Sequence, residues 1–112
     1  MSAFSTSLER RSGAAIVALL GDLDIASEAQ AVTDLNAAMD GCDVLVADLR
    51  DLAFLDSTGV RVLIAADLRA KERGTRFGVV RGGGMVARLL EVTRIGQRIP
   101  VVDDPRELID GD

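Results

Sequence analysis

The sequence predicts a small α/β domain built on a mixed central β-sheet. Three observations carry that expectation. Short, nearly unbroken apolar runs recur along the chain, of the kind found in strands buried on both faces. Between them lie stretches with helical spacing, about 10–17 residues long, which suits right-handed crossovers between parallel strands. The chain also opens with two strand-like segments around a tight polar turn, which adds antiparallel pairing to the sheet.

In order, "FSTSLERRSGAAIVALLG" reads as a hairpin turning at Arg11-Ser12-Gly13, and Ala14 to Leu20 is its apolar second strand. Gly21 to Ala26 reads as a loop. Ser27, with Gln30 three residues later, fits a capping box for a helix carrying Val32, Leu35 and Met39 and ending at Gly41. Asp43 to Leu49 is a second buried strand, and Asp51 to Leu55 reads as a connection. A long helix is expected from about Ser57 to Arg73, ended by Gly74. Arg76 to Val80 is a third buried strand. "GGGMVARLLEVTR" places Val86, Leu89 and Leu90 on one helical face. Arg98 to Val102 is a short last strand whose Pro100 suits a sheet edge. Asp104-Pro105-Arg106-Glu107 supplies a cap, a proline and an acidic residue for a short final helix.

Composition narrows the function. The 112 residues suit one ordinary domain, and an apolar content of 48% argues against disorder. The net charge of −5 repels phosphate backbones, so nucleic acid is not an expected partner. The sequence has no histidine, which removes Ser-His-Asp and Cys-His catalysis, histidine phosphorelay and most zinc sites. Cys42 is alone and reads as a small, half-buried apolar residue. No apolar run approaches the roughly 20 residues of a membrane span, and "MSAFSTSLERRSG" lacks a signal peptide's apolar core, so a cytoplasmic protein is expected, with no membrane partner and no cofactor.

The stretch "LAFLDSTGVRVLIAAD" interrupts an apolar segment with Asp56-Ser57-Thr58-Gly59, at the expected start of the long helix. A helix start following a strand is where α/β sheets place ligands and modifications. A cap at Asp56 or Ser57 accounts for one polar residue and less well for all four. Gly59, about one turn inside the helix, costs roughly 0.5–1 kcal/mol relative to alanine unless another group must approach closely. The same helix is apolar over more than half its circumference: Val62, Leu63, Ala66 and Ala70 on one side, Val60, Ile64 and Leu68 on the other, with Asp67 near the middle. Core packing needs a narrower stripe, so one edge is covered either by the chain's own loops or by a partner.

These residues resemble the STAS domain of bacterial anti-sigma-factor antagonists. "LDSTGVRVLIAA" is similar to its central motif, and "GDLDIASEAQ" to its Gly-acid-Leu-Asp loop. "DVLVADLRDLAFLDSTG" has the family's strand-to-motif spacing, and "LLEVTRI" resembles the helix after the fourth strand. The likeness covers roughly Phe4 to Leu108 and identifies residues 1–112 as a single STAS domain. It implies a fold with helices packed on one side of the sheet. It also implies a non-enzymatic regulator that binds an anti-sigma factor, itself a serine kinase of the histidine-kinase-like ATPase type, and so frees a sigma factor. Phosphorylation of the motif serine, here Ser57, ends binding; a metal-dependent phosphatase of the PP2C type restores it. Asp24, Asp56, Ser57, Thr58 and Gly59 would meet the partner. Arg94, where many relatives carry glycine, and the glycine-rich Arg81-Gly82-Gly83-Gly84 depart from the pattern and bear on partner choice.

Two alternatives remain at this level. Arg81-Gly82-Gly83-Gly84, between a strand and a helix, could cradle a small anion or nucleotide, although the lysine and hydroxyl of a P-loop are missing. A STAS scaffold that is never phosphorylated would use the same fold only for assembly. Between the two motif hydroxyls, Ser57 is expected to project from the helix end, and the β-branched Thr58 to bond locally.

Overall fold

The computed structural model describes residues 3–109. Strand β1 (Ser5–Arg11) turns back into β2 (Ala14–Leu23) through Ser12 and Gly13, both at positive φ, as a two-residue hairpin turn requires. There follow α1 (Glu28–Ala38), β3 (Val44–Asp48), β4 (Leu52–Leu55), α2 (Ser57–Glu72), β5 (Arg76–Val80) and α3 (Gly84–Val92). A 3₁₀ turn (Ile95–Gln97), β6 (Val101–Val102) and α4 (Arg106–Ile109) complete the described chain. The six-stranded sheet runs β1-β2-β3-β5-β6, with β4 paired to the far end of β2. The hairpin is antiparallel and the other pairings are parallel. The mixed α/β sheet is therefore the one the sequence predicts.

Alternation along β2 divides the interior. Ala15, Val17 and Leu19 face a large core shared with α1, α2 and α3, while Ala14 and Ile16 face a smaller cluster with Val44, Val46 and Val80. Leu63 of α2 and Leu45 of β3 are fully buried in the large core, where each such side chain contributes roughly 1.5–3 kcal/mol. Three helices thus pack on one side, as expected. The short α4 instead lays Leu108 and Ile109 on the second face, and a Cβ at Gly78 of β5 would lie 2.7 Å from the Leu108 methyls.

Four local expectations need correction. Gly21 to Leu23 is strand rather than loop, and Leu52–Leu55 is strand rather than connection. The two segments pair with each other, Gly21 with Leu52 and Leu23 with Leu55, across a bulge after Gly21. Neither segment shows a clean alternating pattern, so periodicity alone does not reveal them. The last strand spans only Val101–Val102, because Ile95 to Arg98 tightens into the 3₁₀ turn and its C-cap. Finally, Ser27 precedes α1 in an αR conformation and makes no side-chain cap. Its hydroxyl instead donates to the Asp22 carbonyl (2.7 Å) and accepts from the Asp24 N–H (3.0 Å).

Candidate functional site

The pairing of β4 with β2 assembles the site. Leu23 and Leu55 are register partners in adjacent parallel strands, about 4.8 Å apart. The next residues, Asp24 and Asp56, therefore leave the sheet side by side at its carboxyl edge. The loop and the helix start that the sequence singles out separately become neighbours.

Asp56 is extended, and its Oδ1 accepts from the backbone N–H groups of Thr58 (3.0 Å) and Gly59 (3.2 Å). It is the N-cap of α2, so the capping reading is correct for this residue. Ser57, the first helical residue, is exposed; Thr58 is half-buried. The Thr58 hydroxyl makes no hydrogen bond among the described residues, contrary to expectation, so burial is what separates the two hydroxyls. Gly59 is buried. A Cβ there would fall 2.3 Å from Leu55 Cδ1 and 3.0 Å from both Leu23 Cγ and the Leu23 carbonyl oxygen. Glycine lets the first turn of α2 lie against the ends of β2 and β4, which explains a residue otherwise costly inside a helix.

The loop after β2 is tied internally. Asp24 Oδ1 accepts from the Ala26 N–H (3.0 Å), and the Asp24 carbonyl accepts from the Ser27 N–H (3.2 Å). This Asx-type turn leaves Asp24 half-buried and lifts Ile25 into solvent, 77% exposed. From Ser57, one outward stripe of α2 continues through Arg61, Ile64 and Leu68, spaced within about 60° of one another around the helix. Arg61 is exposed, Ile64 half-buried and Leu68 48% exposed. The opposite side carries Val62, Leu63, Ala66 and Ala70, all buried. Asp67, in the middle of the apolar arc, is buried and receives Lys71 Nζ at 2.9 Å. The wide arc therefore has one covered edge and one open edge, and the open edge begins at Ser57. The sequence reading missed Ile25 and Arg61. The i, i+4, i+7, i+11 spacing from Ser57 was the available signal for Arg61; Ile25 had none beyond its place beside Asp24.

A model of the STAS domain family matches residues 5–108, nearly the whole described chain. The chain belongs to the STAS domain family. An "Anti-sigma F factor antagonist" from Paenibacillus polymyxa is 26% identical over 99 residues, covering 87% of this chain and 85% of that protein. The crystal structure of an anti-sigma factor antagonist from Mycobacterium paratuberculosis superposes with a TM-score of 0.88 at 24% identity, covering 97% of this chain and 93% of that one. SpoIIAA, the Bacillus cell fate determinant, solved in its phosphorylated form, superposes with a TM-score of 0.69 at 17% identity, covering 96% and 98%.

Two further features of this STAS domain stand outside the Asp-Ser-Thr-Gly motif. Arg94 occupies the left-handed region (φ 56°, ψ 32°) after α3, a conformation glycine takes without steric cost. Within Gly82-Gly83-Gly84 the roles differ. A Cβ at Gly82 would meet the Leu49 carbonyl at 2.5 Å, Gly83 is the N-cap of α3 with no side-chain bond, and Gly84 has φ 55°. Close packing and turn geometry thus account for two of the three. Cys42 is half-buried against the large core, and burial raises its thiol pKa above the usual range, which leaves it a poor nucleophile at neutral pH.

Proposed function

We propose that this STAS domain is an anti-sigma-factor antagonist controlled at Ser57. In its unphosphorylated form it binds an anti-sigma factor that is also a serine kinase of the histidine-kinase-like ATPase type, and binding releases a sigma factor. Phosphorylation of Ser57 ends the complex, and a PP2C-type phosphatase restores it. The protein acts in the cytoplasm, without catalysis or cofactor of its own. The observation that carries this reading is the exposed Ser57 hydroxyl on the first turn of α2, beside the Asp24 loop and at the head of a partly apolar outward stripe. The antagonist named among its relatives and the phosphorylated form of SpoIIAA support it.

The electrostatics of the junction suit a switch. The N–H groups of Thr58 and Gly59 already serve the Asp56 carboxylate. A phosphate on Ser57 would find those donors taken and would project outward, adding roughly 1.5–2 negative charges next to Asp56. Docked against a partner, like charges cost several kcal/mol, enough to weaken affinity by a factor of a hundred or more. The fold itself need not change, because Ser57 is exposed at the start of the helix.

The test is a binding comparison with the partner kinase. Ser57→Ala should bind as the wild type does, and Ser57→Glu should bind about a hundredfold more weakly, both with wild-type melting temperatures. Equal affinity of Ser57→Glu and wild type would rule the switch out.

A further inference from the structure

A cleft of about 280 Å³ opens at the β6 edge of the sheet, the edge opposite β1, and shares no residue with the Ser57 site. It lies between α3, the 3₁₀ turn and the start of β6. Its floor is apolar, from Leu90 and Val101, and its polar wall carries Arg81, Glu91, Arg94 and Gln97. The volume lies just below the roughly 300–1,000 Å³ of drug-sized ligand sites, which restricts the occupant to a small molecule.

Two guanidinium groups are prepared here in different ways. Arg81 directly follows β5, and its Nε holds Asp103 Oδ1 at 2.6 Å. That contact orients the side chain and leaves its two terminal nitrogens without a hydrogen bond among the described residues. Arg94 makes no side-chain hydrogen bond or ion pair among the described residues, yet its backbone is held at positive φ, where an arginine is strained. Such a conformation is common just after a helix end, but for a non-glycine residue it is strained, and strain of this kind clusters at ligand sites. The charges also restrict the ligand. Asp103, Glu91 and Glu107 act on Arg81 and offset the guanidinium charges, so a doubly charged anion, which costs more to take out of water, gains little extra attraction over a monoanion.

We propose that this cleft binds a small monocarboxylic acid. Its carboxylate meets Arg81 and Arg94, and its apolar body rests on Leu90 and Val101. Guanidinium groups favour carboxylates because they bond them in matched pairs.

The test uses the full chain, with backbone-amide chemical shifts followed during titration with benzoate, phenyl phosphate or inorganic phosphate. Benzoate should saturate in the roughly millimolar range, with shifts centred on residues 90–101, while both phosphates bind at least about tenfold more weakly. Arg94→Gly should raise the melting temperature by removing strain and weaken benzoate at least about tenfold; Arg94→Asn, which tolerates the same backbone, should weaken it similarly. Arg81→Gln should do the same. The proposal fails if benzoate shows no saturable shift up to about 20 mM, if Arg94→Gly and Arg94→Asn bind it as the wild type does, or if either phosphate binds as tightly as benzoate.

Discussion

The β4–α2 and β5–α3 junctions both carry the chain from the carboxyl end of a parallel strand into a helix, and they solve the same problem with different means. At the first, Asp56 caps the helix through its side chain, Ser57 stands in solvent and Gly59 is wedged against β2 and β4. At the second, Gly83 occupies the N-cap with no side-chain bond, Gly84 follows at positive φ, and nothing lies within 4 Å of where their Cβ atoms would be. The fold therefore starts a helix in this layer without a polar cluster. Measured against α3, the cap and wedge of α2 are the structural part of Asp-Ser-Thr-Gly, and the exposed serine is what folding leaves unexplained.

The contrast can be broken at several points. Within α2, Leu63→Ala should cost roughly 2–4 kcal/mol in chemical denaturation, because Leu63 is fully buried, whereas Leu68→Ala should stay within about 0.5 kcal/mol and weaken kinase binding instead. Equal losses of stability at the two positions, with binding unchanged, would remove the open edge as a partner surface. Gly59→Ala should cost about 1–3 kcal/mol, since the added carbon collides with Leu55 and the Leu23 backbone. Asp56→Ala should cost about 1 kcal/mol through the lost cap, with m-value unchanged. Asp24→Ala, which removes the Ala26 contact, should lose about 0.5–1 kcal/mol and weaken kinase binding by more than that loss explains. The smallest effect is expected at the other junction: Gly83→Ser, in an extended backbone that accepts a side chain, should gain a few tenths of a kcal/mol by supplying the missing cap.

Much of this was legible in the sequence. The apolar runs at Ala14, Val44 and Arg76 and the long α2 pattern become the strands and helix they suggest, because burial on both faces and a wide apolar arc are written in residue type. The β2–β4 ladder was not legible. It depends on a long-range pairing of Gly21–Leu23 with Leu52–Leu55, segments too short and irregular to show a period. That ladder is what brings Asp24 beside Asp56, so motif spacing singled out the candidate residues while their adjacency needed three dimensions. Ser27 misled for a related reason: its hydroxyl serves the loop carbonyl of Asp22 rather than the helix it precedes, a choice that local sequence leaves open.

The central claim is that the serine left over by folding at the α2 junction is the switch. The most direct measurement is incubation of the full chain with its partner kinase and ATP, followed by mass mapping of the modified residue in the wild type, Ser57→Ala and Thr58→Ala. The account predicts one phosphate, on Ser57, in the wild type and in Thr58→Ala, and none in Ser57→Ala. Modification of Ser57→Ala at the wild-type rate, or a phosphate mapped to Thr58, would contradict it.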